Sequence, residues 1–225
     1  MELKYIFLIC IAAYLIGSIN FATVIAKIKN KDIKKLGSGN PGTMNVLRSV
    51  GKGWGVLVFV LDALKGLGFA LIGRFATANP YVFAVVMGFC VVLGHIFPIF
   101  DKFRGGKGVA TTMGVYIAIS PIAGIITLVV LIIFLFVIKY GFIGSFLAVS
   151  TFAGHAIYLC RNTWWAIVII AIWWALVIIA HRGNIKRLIK GEENTLSLSG
   201  ENKVKVLDVK EEKDDIIEED ILKRK

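Results

Sequence analysis

Acidic residues are scarce through most of this chain. Up to Lys190 there are four, Glu2, Asp32, Asp62 and Asp101, against 19 lysines and arginines. So few carboxylates cannot easily supply a carboxylate-ligated metal centre, and no metal or other cofactor is expected. Cysteine is nearly as sparse. Cys10, Cys90 and Cys160 each lie in or at the end of an apolar run, with no CxxC spacing, and read as small hydrophobic filler. There is no plausible Ser-His-Asp set and no reactive cysteine, so covalent catalysis has no obvious nucleophile.

What is abundant is apolar surface and positive charge. Of 225 residues, 57% are hydrophobic, and the mean hydropathy is +0.76, well above a soluble domain. The formal net charge is +11. It is unevenly placed: strongly positive up to Lys190, and negative from Gly191 onward, where 7 basic residues face 11 acidic ones. A basic body suits an anionic partner such as a phosphate, a nucleotide or a lipid headgroup. Nucleic acid fits poorly, because the basic residues sit in short loops rather than on one broad face.

Apolar runs fall at roughly 4–26, 54–75, 81–100, 107–138, 140–160 and 163–181, and a span needs about 20 residues. The first run is too long for a signal peptide and reads as a retained helix. The run 107–138 is long for one span and short for two, with Ser120-Pro121 favouring a break in its middle. The positive-inside rule favours two crossings, with one long tilted helix as the alternative. The Lys-rich loop 27–52 belongs inside, the connection at Arg74 outside, and the loop with Lys102, Arg104 and Lys107 inside. Only two crossings by 107–138 put the last basic segment, Arg182 to Lys190, inside as well. The expected fold is therefore all-α and integral to the membrane, with seven spans, N-terminus out and C-terminus in. Residues 1–194 would form the membrane domain. Residues 195–225 would form a charged, solvated tail, or in its Glu211–Lys225 stretch a partner-binding helix.

Four constellations carry polar chemistry. The first, Gly37-Ser38-Gly39-Asn40-Pro41-Gly42-Thr43-Met44-Asn45-Val46-Leu47-Arg48, contains a literal G-x-G-x-x-G, but a membrane helix and a Lys-rich loop precede it, not the strand a Rossmann site needs. Asn40 suits a helix N-cap and Pro41 the first helical position, which would aim free amides at an anion near Ser38 and Gly39. Asn45 and Arg48 would share a helical face. The second, Asp62-Ala63-Leu64-Lys65-Gly66, puts two ionisable residues inside a span, three apart and able to pair; they either brace the bundle or orient a site.

The third runs from Gly94-His95 through Pro98 and Asp101 to Gly105-Gly106-Lys107-Gly108-Val109-Ala110-Thr111. Its glycines would let the backbone approach a phosphate while Lys107 adds charge at a helix N-terminus. It is not a Walker A, since Asp101 and Gly108 occupy positions that need Gly and Ser or Thr. Nor is it an H-x4-D acyltransferase motif, because Asp101 is one residue too far from His95. The fourth, His181-Arg182-Gly183-Asn184-Ile185-Lys186-Arg187, places His181, Asn184 and Arg187 on one face, followed by Glu192 and Glu193. His155 lacks such company and reads as a hydrogen bonder inside the bundle. An anion transporter is a rival reading, although the motifs lie near one surface and only one ionisable pair sits within the spans. A headgroup enzyme with a metal-ligating carboxylate cluster or a nucleophilic histidine is a second rival, and the shortage of acids disfavours the first of these forms.

In this order, the motifs resemble the acyl-phosphate-dependent glycerol-3-phosphate acyltransferase family (PlsY type), over roughly residues 10–193. The resemblance implies transfer of a fatty acyl group from acyl phosphate to the 1-hydroxyl of sn-glycerol 3-phosphate, giving 1-acylglycerol 3-phosphate and phosphate. It implies a cytoplasmic-facing site in the cell membrane, among membrane lipids, with a soluble acyl-phosphate-producing enzyme as a partner. Its phosphate-binding positions fall on Ser38, Arg48 and Lys107, and its acceptor-side positions on His181 and Asn184. Gly39, Asn40, Gly42, Asn45, Lys52, Gly105, Gly106, Gly108 and Thr111 would line the phosphates. Asp62, Lys65, His95, Arg187 and Glu193 would orient the site. In the first span the chain departs from the family, with Asn20 where proline usually follows Gly17-Ser18-Ile19.

Overall fold

The computed structural model describes residues 2–137, 141–191 and 193. The expected tail 195–225, including Glu211–Lys225, lies outside the described residues. Those described are helical, with short turns and no strand.

The first apolar run is bent. α1 (Leu3–Gly17) ends at Ser18, and α2 (Phe21–Ile28) begins after Asn20. Asn20, the departure from the family pattern, is the N-cap of α2: its Oδ1 accepts from the Thr23 N–H at 2.9 Å, which satisfies one of the amides a new helix exposes. Then follow α3 (Thr43–Ser49), α4 (Lys52–Phe75) and α5 (Pro80–Ile96). The run 107–138 breaks at Ser120 as its proline suggests. It yields α6 (Val109–Ile119) and α7 (Pro121–Val137), which pack on each other. α8 (Gly141–Leu159), α9 (Trp164–Ala180) and α10 (Arg182–Ile189) complete the described chain.

The spans are less uniform than expected. Four helical segments have the length and hydropathy to cross a membrane: Lys4–Ile28 taken through its bend, Lys52–Phe75, Pro80–Asp101 and Gly141–Leu159. A fifth arises if α9 and α10, bent by 45°, count as one. α6 and α7 are shorter apolar helices. α6 has 11 residues, about 16 Å of helix against about 30 Å of hydrocarbon. It can be short because protein surrounds it. Nine of its residues are buried, against α4, α5, α7 and α8.

Small residues allow this close packing, as expected where helices meet without a hydrophobic driving force. A Cβ on Gly114 of α6 would lie 1.9 Å from the Ala63 carbonyl oxygen of α4, and one on Gly66 would lie 2.1 Å from that of Thr111. Between α1 and α5, Gly17 and Gly94 do the same against Val91 and Tyr14. Trp173 of α9, fully buried, donates its Nε1–H to Thr112 Oγ1 at 3.0 Å. At the far end, Arg74 donates to the terminal carbonyls of α6, at Ala118 and Ile119. His155 Nδ1 meets Tyr116 Oη at 3.1 Å, a bond between helices inside the bundle of the kind expected of it.

Candidate active site

Contacts between loops put the basic segments at one end of the bundle. Lys34 pairs with Asp101, joining the first loop to the third. Lys107 donates to Asn184 Oδ1, joining the third to α10.

That second contact is the centre of a cluster. Asn184 Nδ2 donates to Glu193 Oε1 at 2.6 Å, and Arg187 Nε donates to Glu193 Oε2 at 3.0 Å. Glu193 thus takes both groups that α10 presents on one face. Arg48, at the end of α3, lies within electrostatic reach of both Glu193 and Arg187. Burial pushes the Arg48 pKa below its ordinary value, Glu193 opposes that, and Arg187 adds to it. The Lys107 ammonium is held at about 8, first by burial and then by Arg187, with Glu193 pulling the other way and Arg48 adding a further push down. His181 closes the cluster at the end of α9. Its Nδ1 lies 2.8 Å from the Val177 carbonyl oxygen. A carbonyl only accepts, so Nδ1 carries the proton and a neutral ring keeps Nε2 as an acceptor. The Phe146 ring holds the imidazole edge-on at 5.2 Å between centroids. Three cations around one carboxylate leave a surplus of positive charge, partly dehydrated, which is the electrostatic form of an anion recess.

Beneath it is a second cluster, buried inside the spans. Lys65 Nζ lies 2.7 Å from Asp62 Oδ1, so the expected pair forms. The ammonium also donates to Gly17 O and Ile19 O, each at 3.1 Å. These carbonyls are freed by the break between α1 and α2, so the buried charge is spent on mending a helix. His95 Nδ1 joins at 3.0 Å from Lys65 and 3.4 Å from Asp62. His95 carries the third motif on its other side: Gly106 N–H donates to its carbonyl at 3.1 Å, and Gly105 N–H to Ile96 O at 3.2 Å.

Several residues expected to line the phosphates are therefore committed elsewhere. The amides of Gly105 and Gly106 are consumed by the end of α5. A Cβ at Gly106 would fall 2.2 Å from His95 Nε2, so glycine here admits a histidine rather than a phosphate. Asn45 is 1% exposed. Its Oδ1 accepts from the Ser38 N–H at 3.2 Å and from Ser49 Oγ at 3.4 Å, while Nδ2 donates to Ile33 O and Leu36 O. It organises the first loop and has nothing left for a ligand, and the Ser38 amide is used as well. The Gly39 N–H is taken by Leu36 O, and that of Gly42 by Asn40 O. Helix α3 starts two residues later than expected, with Gly42 and not Asn40 as its N-cap, because the Asn40-Pro41 pair forms an extended turn, as proline favours for the residue before it. Thr111 is fully buried in α6 against Gly66. Gly108, at φ 83°, is the left-handed N-cap of α6 and aims the chain from Lys107 into that helix. Lys52, exposed, is the first residue of α4.

So Arg48, Lys107, His181, Asn184, Arg187 and Glu193 come together. Ser38 stays on the neighbouring loop that ends in Arg48. The union of His95 with Asp62 and Lys65 is not visible in spacing, since 30 residues separate His95 from Lys65. The role of Asn20 was open to sequence reading, for an asparagine three residues before Thr23 is an N-cap signal.

The chain and its bundle have counterparts. A sequence model of the family described as glycerol-3-phosphate acyltransferase matches residues 7–191. The glycerol-3-phosphate acyltransferase of Thermoanaerobacter pseudethanolicus is 42% identical over 201 residues, covering 88% of this chain and 100% of its own. That of Aquifex aeolicus is 43% identical over 195 residues, covering 85% and 99%. The crystal structure of PlsY (YgiH), an integral membrane glycerol 3-phosphate acyltransferase, in its glycerol 3-phosphate form, superposes with a TM-score of 0.78 at 39% identity, over 86% of this chain and 96% of that one. Its lysophosphatidic acid form gives 0.75. This chain, a multi-pass helical membrane protein, belongs to the glycerol-3-phosphate acyltransferase family.

Proposed function

We propose that the protein transfers a fatty acyl group from acyl phosphate to the 1-hydroxyl of sn-glycerol 3-phosphate, releasing 1-acylglycerol 3-phosphate and inorganic phosphate. The observation that carries this is the cationic recess of Arg48, Lys107 and Arg187 beside His181 and Asn184. Both substrates are phosphates, and both need that charge.

An acyl phosphate already holds a good leaving group, so the hydroxyl can attack the acyl carbonyl directly. The new C–O bond forms as the carbonyl becomes a tetrahedral oxyanion. The old acyl C–O bond then breaks, and phosphate leaves with its electron pair. Lys107 and Arg48 stabilise the oxyanion or the departing phosphate. The hydroxyl proton passes to Nε2 of His181 or to the acceptor's own phosphate. Ser38, whose amide is bonded to Asn45 on the loop before α3, would hold a phosphate through its hydroxyl. The buried Asp62–Lys65–His95 cluster positions the Lys107 loop from below. A permease reading draws no support from that cluster, because its charges are consumed by each other and by α1.

The same reading sets the protein in the membrane. With the three basic segments at one end and Arg74 and Arg161 in the opposite connections, the positive-inside rule gives seven crossings, N-terminus out and C-terminus in, with the recess facing the cytoplasm. A soluble enzyme would then supply acyl phosphate from that side, and residues 195–225 would be a charged cytoplasmic tail on a membrane domain of residues 1–194. The test is purified protein with glycerol 3-phosphate and either acyl phosphate or acyl-CoA. Stoichiometric phosphate release with acyl phosphate is the expected result. Turnover with acyl-CoA alone would overturn the donor assignment.

A further inference from the structure

α5 has 17 residues, about 25 Å of helix, and falls short of about 30 Å of hydrocarbon. The chain beyond it makes up the difference, for the apolar segment continues to Asp101. In this continuation Phe100 is 68% exposed and Phe103 58%. Lys102 and Arg104, beside them, are exposed as well. Aromatic rings next to basic side chains at the end of a span match the membrane–water interface, where rings rest at headgroup level and cations reach anionic lipid.

Exposure alone would not distinguish this loop from the lipid-facing sides of the spans, but its backbone does. Lys102 and Phe103 are consecutive left-handed residues, at φ 53° and 58°. Neither is glycine, and an aromatic side chain in that region is an outlier that persists only where its surroundings enforce it. Here they do. The Phe103 N–H donates to Pro98 O at 2.9 Å, and the Arg104 N–H to Asp101 O at 3.1 Å. Tyr14 Oη donates to Phe97 O at 2.9 Å. Asp101, the loop's one acid, is turned away to pair with Lys34 and to accept from Thr23 Oγ1 at 3.4 Å. What remains exposed is apolar and basic only: Ile99, Phe100 and Phe103 with Lys102 and Arg104.

We infer that Pro98–Arg104 is an interfacial anchor, seated in the anionic leaflet of the protein's own membrane. Phe100 and Phe103 rest at the boundary of headgroup and acyl chain, and Lys102 and Arg104 engage lipid phosphates. Lys107 follows three residues after Arg104, so the anchor also fixes the depth of the recess. On the proposed function, a bilayer-resident acyl phosphate would then reach Lys107 without leaving the leaflet.

The test places nitroxide labels at Phe100→Cys and Phe103→Cys in a chain whose three cysteines are replaced by alanine. The protein is reconstituted in vesicles of phosphatidylcholine, alone or mixed with phosphatidylglycerol. Accessibility to oxygen is compared with that to a water-soluble nickel chelate. A label at Lys35, whose side chain is 76% exposed, is the aqueous control. Labels at 100 and 103 should favour oxygen, and the label at 35 should favour nickel. Lys102→Ser with Arg104→Ser should make the first two shallower only where phosphatidylglycerol is present. Labels at 100 and 103 as open to nickel as the control would overturn the anchor and assign the patch to a soluble partner. Depth indifferent to lipid charge would overturn its anionic preference. These readouts need no turnover, so they stand apart from the donor assignment. In the enzyme assay, Phe100→Ser with Phe103→Ser should cut kcat/KM for a long-chain acyl phosphate in vesicles by about tenfold and leave a short, water-soluble one unchanged, as expected for lost interfacial affinity.

Discussion

Lys107 offers the sharpest test, because on the proposed function its charge is both needed and costly. Burial and two neighbouring arginines hold its pKa at about 8. A lysine is charged when protonated, so the cation is complete well below pH 8 and is lost as the pH rises through that value. The phosphate groups of the substrates stay ionised over that range, since their second pKa is about 6. kcat/KM for glycerol 3-phosphate should therefore be level from pH 6.5 to 7.5, bend near 8, and fall about tenfold per unit beyond it, as one proton controls a single essential charge. Removing the group altogether with Lys107→Ala deletes one donor to the transition state. That is worth roughly 2.7–4 kcal/mol, or about a hundredfold to a thousandfold in turnover. Lys107→Arg separates charge from position: arginine stays protonated past pH 12, so the alkaline limb should disappear while the rate drops through the altered fork. The assay is phosphate release from acyl phosphate, corrected at each pH for spontaneous hydrolysis. A limb near pH 8 that survives in Lys107→Arg, or near-wild-type turnover in Lys107→Ala, would refute the reasoning.

The buried pair should show strong coupling. Asp62→Asn or Lys65→Met alone leaves an uncompensated charge and should destabilise by about 3–5 kcal/mol in detergent unfolding, whereas the double variant should recover part of the loss. The recovery should be incomplete, because Lys65 also serves the carbonyls of Gly17 and Ile19. Gly106→Ala would set a methyl 2.2 Å from His95 Nε2; it should lower kcat by about tenfold or more through displacement of Lys107, by the logic that small misplacements are costly. Asn45→Ala severs four hydrogen bonds in the first loop and should cost about 2–4 kcal/mol of stability, with KM for glycerol 3-phosphate rising as Ser38 and Arg48 loosen. An Asn45→Ala protein with wild-type melting and KM would refute its role in organising the first loop.

The sequence made the membrane bundle, the break at Ser120-Pro121 and the residues of the recess legible, because hydropathy, proline and charge are local signals. Arg48, Lys107, His181 and Asn184 could be named from their motifs. What spacing could not show is which polar atoms were already taken. Gly-Gly-Lys-Gly looks the same in sequence whether its amides face a phosphate or the last turn of α5. Only the approach of His95, fixed by the tertiary fold, decides for the latter. Asn45 misleads in the same way, since a polar residue one turn from Arg48 suggests a ligand, while its partners Ile33 and Leu36 are apolar residues contributing backbone carbonyls. A short α6 could be read from the length of the run 107–138, but its burial could not, because hydropathy cannot tell a helix facing lipid from one sheathed by other helices.

The contact between Lys107 and Asn184 joins positions 77 residues apart, and this has a consequence for biogenesis. Translation runs from the N-terminus, and the Lys107 loop leaves the ribosome long before α9 and α10 exist. Until they insert, the buried face of α6 lacks the Trp173 indole, and Lys107 lacks its amide partner. The recess is thus completed only once α10 and Glu193 have been made, and on the proposed function a nascent chain stalled short of Glu193 would hold most of its helices in the membrane without transferring acyl groups.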